Sequence, residues 1–448
     1  MTLLDPVTKP VVNQFKTPVR WGVNHVVPRT FFRAAARRGD LQGQLIAAAP
    51  GAHTFELLDL FEEARSHGPI VSGRLTHMAV DHAAVKEVLS SNDFRTGMPS
   101  RAAGLMQRLG AWAALDVISP VEPPSLLVTD PPDHTRYRKL VTKVFSVRAV
   151  QQLQDRTAEI ALGLLDDLDK RVSDNGGRPV DLVDAYCSLL PVTVIAEILG
   201  VPLEDRAKVL EFGTAAAPSL DMGLDWRTFR QVEGGLREFD AWLTEHLEEL
   251  RRNPGDNLLS ELVAAQDDGV GLTPHELKST AGLVLAAGFE TTVNLLGNGI
   301  ALLHEHPDQL ALLQQDPSLW ANAVDEVLRY DPPVLLTGRI ADRNTEVLGH
   351  RISEGAIVST VLAAANRDPK VFTDPARFDV TRENAKEHLS FSSGRHYCLG
   401  AALARMEGEV GLRMLFERYP DLRLESGAHR RSTRILRGYE TLPARLRG

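Results

Sequence analysis

Cys398 is one of only two cysteines in 448 residues, and it stands near the end of the run Phe391-Ser392-Ser393-Gly394-Arg395-His396-Tyr397-Cys398-Leu399-Gly400, just ahead of an amphipathic pattern. Leu403, Met406, Val410 and Met414 recur at helical spacing through Tyr419. That spacing puts the cysteine at a helix N-terminus, where free N–H groups and the helix dipole favour negative charge. The expectation is a thiol of lowered pKa that binds a metal as thiolate. Gly394 and Gly400 let the backbone turn tightly and bring amides close to the sulfur, while Arg395 and His396 supply donors beside it. Zinc sites and iron–sulfur clusters need about four ligands, and no second ligand stands at a zinc spacing. A buried helix-start cysteine is the plainer alternative for a lone Cys.

The chain is longer than a usual single domain, yet no linker rich in Pro, Gly or Ser and no repeat divides it. Apolar content of 43% suits a sizeable core, and a net charge of −9 argues against a general nucleic-acid binder. Cys187 and Cys398 are too far apart to suggest a disulfide framework, and Cys187, between Tyr186 and Ser188, reads as a small core hydrophobe. The start, Met1-Thr2-Leu3-Leu4-Asp5-Pro6, lacks a charged segment followed by an apolar run, and no stretch of about eighteen uncharged apolar residues occurs. A cytoplasmic protein without an integral membrane segment is expected. Residues 1–54 carry Arg20, Arg29, Arg33, Arg37 and Arg38 with few acids, and read as a partly ordered basic arm. Such an arm either closes over the fold as a surface helix or lies on a membrane surface.

Helical patterns at 55–63 and 83–89 flank two short strands at 70–72 and 77–80. Between Phe94 and Leu126 the period is lost among Gly97, Pro99, Gly104, Gly110, Pro120, Pro123 and Pro124, and a long irregular loop of this kind is usually functional or mobile. His134 and Arg138 then stand four apart on one helix face; alone, such a pair is more often solvated surface. The spans 149–168 and 185–199 are helical, the second ended by Gly200 and Pro202. A break at Pro218 and Gly223 precedes a charged helix over 226–252.

Thr273, Pro274 and Glu276 form an explicit helix start, a capping box with proline at the first position. The helix runs to about His304, roughly thirty residues or about 45 Å, and it is apolar nearly all round, as a central helix must be. Within it, Ala287-Gly288-Phe289-Glu290-Thr291-Thr292 removes bulk where a helix would approach a flat group. Gly288 by itself could equally mark close helix packing. The same run sets an acid and a hydroxyl in apolar surroundings, where a Glu is costly unless it has a partner or a task. Glu326 and Arg329 form an i,i+3 pair, in isolation worth a few tenths of a kcal/mol. Arg339 and the run Pro375-Ala376-Arg377-Phe378 follow.

Together these runs resemble the cytochromes P450, in which a single axial Cys suffices because the porphyrin supplies the other four ligands in the haem plane. Residues 391–400 match F-x-x-G-x-[HR]-x-C-x-G at every specified position. Residues 287–291 match [AG]-G-x-[DE]-T, 134–138 match H-x-x-x-R, 326–329 match E-x-x-R, and 375–378 match the P-x-R-F position. The likeness runs from about Phe55 to the C-terminus and is fullest, including residues 288–299, to soluble actinobacterial P450s of a mycobacterial-type orphan subfamily.

The resemblance implies a mainly α protein with small β-sheets and one P450 domain over 55–448. Haem b would sit between the central helix and the helix after the Cys loop. It makes Cys398 the iron ligand and Phe391, Gly394, His396, Gly400, Ala287 and Gly288 its cofactor surroundings, with His134, Arg138 and Arg339 on the propionates. Glu326, Arg329 and Arg377 would form a buried network that specifies structure rather than catalysis. Leu283, Ala286, Val334, Leu335 and Leu336 would line the substrate pocket, under a lid at the 215–224 break and the irregular loop after Phe94.

The implied activity is a monooxygenase that inserts one oxygen atom of O2 into an apolar small molecule of lipid, steroid-like or polyketide type and reduces the other to water. Glu290 and Thr291 would organise water and deliver protons. The glycine-rich runs do not follow a strand and open a helix, so a separate ferredoxin and ferredoxin reductase are the expected electron source. Peroxygenase, C–C coupling or rearrangement chemistry on the same scaffold is the competing enzyme reading. A non-catalytic haem ligand-binding protein would keep Cys398 with no evident need of the acid–alcohol pair. A cysteine hydrolase has no identifiable activating base beyond His396.

Overall fold

The structure, a computed structural model, describes residues 16–74, 76–96, 112–114, 117–142, 145–267 and 271–446. Residues 1–15 of the basic arm and 97–111 of the irregular loop lie outside them. The architecture is mainly helical with small sheets.

Its axis is the helix Pro274–Glu305, which begins where its residues require: Glu276 N donates to Thr273 Oγ1 (3.3 Å) and Thr273 N donates back to Glu276 Oε2 (2.8 Å). Residues 292–303 are buried without exception. On one side packs the helix after the Cys loop, Ala401–Arg418. A Cβ on Gly299 would stand 2.7 Å from Leu412, and one on Gly411 would stand 2.9 Å from Leu296, so the two helices meet closely at glycine. Leu165, Leu190, Leu296, Leu412 and Phe416 share this core, and Cys187 lies fully buried within it, each large apolar side chain contributing about 1.5–3 kcal/mol. The long helix Val147–Asp174 packs against Ala401–Arg418, tied by Arg418 to Asp166 (2.7 Å) and Asp169 (2.6 Å).

The largest sheet has five strands in the order Ile70–Ser72, Thr76–Ala79, Ile357–Thr360, Thr337–Ala341, Phe94–Arg95. Only the pairing of Thr76–Ala79 with Ile357–Thr360 is parallel. Register sets Arg339 opposite Val358.

Packing gives no boundary at residue 54. Leu41, Leu45 and Ile46 share a buried cluster with Leu57, Phe61, Met78, Leu335 and Leu336. Ahead of them Arg20, only 6% exposed, forms an ion pair with Glu233, and Trp21 Nε1 donates to Leu224 O (3.0 Å). Arg20 reads as a solvated cation locally because its carboxylate partner arrives from a distant helix.

Glu326 and Arg329 are both fully buried and joined by two hydrogen bonds of 2.7 and 2.8 Å. The arginine that completes the network is Arg382, not Arg377. Arg382 Nε lies 3.2 Å from Glu326 Oε2, whereas the Arg377 side chain is exposed and only its backbone carbonyl takes part, accepting from Arg329 and Arg382 (3.0 Å each). The turn before Arg382 points residue 377 outward and folds residue 382 back onto the carboxylate.

Candidate functional site

The loop before Ala401 is held from several sides. Ser392 and Gly394 both adopt positive φ, 64° and 67°. A Cβ on Gly394 would lie 2.6 Å from Ser90 Cα and 2.7 Å from Leu89 O, so glycine is required by the neighbouring helix His82–Ser90. Cys398 N donates to Phe391 O (2.9 Å), closing the loop. Phe391 lies beneath the Arg405 guanidinium (4.6 Å), Arg405 is held by Asp325 (2.7 Å), and Asp325 also meets His388 (3.1 Å). These bracing residues follow no spacing that local sequence reveals.

Cys398 is exposed as a residue, yet burial is the largest influence on its thiol and pushes it above the ordinary pKa, against the Gly400 N–H and the Arg138 and Arg405 charges. The lowered pKa expected from the helix start is therefore corrected. The cysteine precedes the first helical residue, Ala401, and in the protein alone desolvation outweighs the dipole. A Cβ on Gly400 would meet nothing within 4 Å.

Around this loop two arginines and two histidines gather with little acid to balance them. His134 is 2% exposed and its ring centroid lies 4.2 Å from that of His396. Neither Nε2 has a hydrogen-bond partner, Asp130 Oδ1 being 3.7 Å from His396. Burial, with the nearby His396 and Arg138, pulls His134 down to about 4; burial likewise lowers His396. Arg339, 5% exposed, donates to Gly338 O (2.8 Å) and reaches Ser392 Oγ at 3.5 Å, with no carboxylate bonded to it, and burial pulls it down to about 10. Arg138 donates to Tyr397 O (2.7 Å). The structure thus brings together buried His134 and Arg339 with half-buried Arg138 and His396, a donor set of the kind that an anionic group would satisfy.

On the central helix, Gly288 is exposed, and a Cβ there would meet only Ile195, at an ordinary 3.8 Å. Packing against protein does not require glycine at this point. Thr291 Oγ1 donates back to Ala287 O (3.0 Å). Glu290 is 1% exposed, and burial lifts its carboxyl to about 7 against the pull of Arg431. Arg431 Nε lies 3.0 Å from Glu290 Oε1, a partner delivered by the C-terminal region. Glu407, on the helix after the Cys loop, is 2% exposed and lifted to about 8 by burial, which outweighs its hydrogen bond with Thr292. Neither Arg431 nor Glu407 was anticipated, because their partners are remote in sequence.

Leu283 is half-buried against the main core. Ala286 packs with Phe229, Val232 and Leu236 from the helix Trp226–Arg252. Val334 is half-buried beside the five-stranded sheet. Leu335 and Leu336, 0% and 5% exposed, are packed into the N-terminal cluster that also holds Leu45 and Phe61.

Among the described residues no group of three or more His, Cys, Asp or Glu converges on one point, so a metal on Cys398 needs ligands from a non-protein group. A flat, dianionic porphyrin fits the residues present. The small Ala287–Gly288 pair leaves room for it, Gly400 leaves room beside the thiol, and His134, Arg138, Arg339 and His396 would supply donors to its anionic groups.

The comparisons bear on the same question. The Mycobacterium tuberculosis protein named "Putative cytochrome P450 140" is 50% identical over 439 residues, covering 96% of this chain and 98% of the relative. The chain belongs to the cytochrome P450 family. The model for Cytochrome P450 matches residues 217–428 of this P450, and the 6-deoxyerythronolide B hydroxylase of Saccharopolyspora erythraea is 46% identical over 71% of this chain and 77% of its own. Among solved structures, Mycobacterium smegmatis CYP164A2 superposes with TM-score 0.79 at 33% identity, covering 90% of this chain and 99% of its own. P450BioI, solved with a fatty-acyl-ligated acyl carrier protein, gives 0.78 at 30%, covering 88% and 99%. The protein is a cytochrome P450 monooxygenase by family, and the fold implies haem b as its cofactor. Among the described residues no helix is long and apolar enough to cross a membrane.

Proposed function

We propose that this P450 hydroxylates an apolar small molecule of lipid, steroid-like or polyketide type, with electrons from a separate ferredoxin and ferredoxin reductase. The observation that carries the reading is the Glu290 carboxyl, buried mid-helix and held above the ordinary carboxylate range by that burial, next to the Thr291 hydroxyl. Cys398 would hold haem iron as thiolate, and the haem would supply the chemistry of O2 activation. The chain's own residues do the rest. His134, Arg138, Arg339 and His396 would hold the propionates. The Phe391–Arg405–Asp325 brace keeps the loop rigid. Glu290 stores a proton in a dry setting and Thr291 orders the water that relays it. Leu283, Ala286 and Val334 offer apolar contact to substrate.

The substrate class draws support from the relatives, which include the 6-deoxyerythronolide B hydroxylase, a vitamin D(3) 25-hydroxylase of Pseudonocardia autotrophica and the monooxygenase PikC of Streptomyces venezuelae. The test is a library screen for compounds that shift the ferric Soret band from low to high spin, followed by turnover with a surrogate ferredoxin and reductase. Hydroxylated product is the expected result. A ligand that shifts the band but is consumed only with peroxide, or is coupled or rearranged without gaining oxygen, would favour the competing chemistries.

A further inference from the structure

Residues 431–437 touch three parts of the site at once. Arg434 Nη1 lies 3.2 Å from Asp221 Oδ2 and donates to Met222 O (2.9 Å), both in the break between the helices Arg206–Ala216 and Trp226–Arg252. Asp221 is 5% exposed, and it also accepts from the Arg434 backbone N–H (3.2 Å). Three residues earlier on the same segment, Arg431 stands 3.0 Å from Glu290. Just beyond Arg434 the segment is pinned to the sheet side by Leu335 N donating to Ile435 O (2.9 Å) and by the bridge between Val334 and Leu436. Two buried carboxylates on different elements are therefore each held by an arginine of one short strap.

The two contacts differ in kind. Asp221 is hydrogen-bonded. Among the described residues neither Glu290 oxygen finds an aligned hydrogen-bond partner, and nor does Arg431 Nε. Arg431 acts on Glu290 as a close charge without a directional bond, so a small movement of the strap changes the electrostatics without breaking a fixed geometry. Arg431 is also the one charged group with a resolved influence on Glu290 among the described residues, while Asp221 feels Arg434 and the backbone N–H groups of Met222, Arg434 and Ile435.

We propose that the strap 431–437 couples the lid to the distal acid: Arg431 is a positioning residue for Glu290, and its hold depends on the Asp221–Arg434 pair. The proposal rests on the reading of Glu290 as the proton donor. Opening of the 217–225 segment separates Asp221 from Arg434, the strap loosens, and Glu290 loses its cation and retains its proton. Closure over substrate restores the charge and readies the carboxyl to give the proton up.

The test titrates the Glu290 carboxyl in the ferric holoenzyme by infrared difference spectroscopy, the band being assigned by its loss in Glu290→Gln. Arg431→Gln should raise the midpoint by roughly 1–3 pH units, and Arg431→Lys should return it toward the parent. Asp221→Asn should raise it too. That sign is diagnostic, because removing a negative charge acting directly through space would lower it. In the Arg431→Gln background, Asp221→Asn should add nothing. An unchanged midpoint in Arg431→Gln overturns the positioning role. A lowered or unchanged midpoint in Asp221→Asn, or additive shifts in the double variant, overturns the coupling. The ratio of product to reductant consumed in Glu290→Gln reports separately: an unaltered ratio removes the proton-donor reading while the titration still decides whether the strap acts on Glu290.

Discussion

Replacing the Cys398 sulfur with oxygen leaves the loop's backbone bond to Phe391 in place and removes the one donor that suits a thiolate-ligated haem. Cys398→Ser should therefore lose the long-wavelength Soret band of the reduced CO complex, while substitution of the fully buried Cys187 should keep it. An unchanged spectrum in Cys398→Ser would sink the ligand assignment. Thr291 and Glu290 act on a proton rather than on haem binding. Thr291→Ala should still take up haem and substrate, but product per reductant consumed should fall, because the water it orders no longer relays the proton. Glu290→Gln should slow turnover to product by on the order of 10²-fold and alter the solvent isotope effect. Measuring both variants separates this from poor folding, which would lower reductant consumption and product together. An unchanged ratio in Thr291→Ala would make a peroxide-driven or non-oxygenase reading the better one.

At the scale of elements, the buried network joins the helix Trp320–Tyr330 to the chain around 373–382. Glu326 receives Arg329, Arg382 and the Asp379 N–H (2.9 Å), so its charge is fully partnered. Removing Arg329 or Arg382 leaves that carboxylate short of a cation in the core, a loss of about 3–5 kcal/mol, a large share of a typical stability. Arg329→Ala and Arg382→Ala should yield little soluble holoprotein. Arg377→Ala, a surface change whose carbonyl contacts survive, should stay within about 0.5 kcal/mol of the parent. Chemical denaturation of the three variants distinguishes them, and a severe Arg377→Ala defect beside a mild Arg382→Ala one would reverse the assignment made from the structure.

For the whole molecule, buried ionisable groups set the pH dependence of stability. Burial holds Glu290 at about 7 and Glu407 at about 8, against an ordinary 4.5. Over that window the native state binds more protons than the unfolded chain, so their contribution is full below the ordinary value and is lost as pH rises, by up to about 1.4 kcal/mol per pH unit for each carboxyl. His134 runs the other way. It is held at about 4 against 6.5, so the unfolded chain binds the extra proton and stability falls as pH drops through that range. Urea midpoints should decline from pH 6.5 to 8, and Glu407→Gln should flatten the decline. A slope that survives the substitution would mean that Glu407 is ionised in the folded protein.

The features legible in sequence were those with local causes. The Cys398 loop, the capping box at Thr273 and the Glu290–Thr291 pair each lie within a few residues, and their spacing alone specifies a turn, a helix start or a shared stretch of helix. From these the family and the fold class could be read, and Cys398 proposed as the haem ligand. Tertiary structure decided what depends on which remote side chain arrives. It chose Arg382 over Arg377 for Glu326, gave Glu233 to Arg20 and Arg431 to Glu290, and turned Leu335 into the N-terminal cluster. The same holds for the thiol of Cys398, where a helix start predicts a lowered pKa and burial raises it. A dipole is a property of a few consecutive residues, whereas desolvation depends on everything packed around a group, and that is known only once the chain has closed on itself.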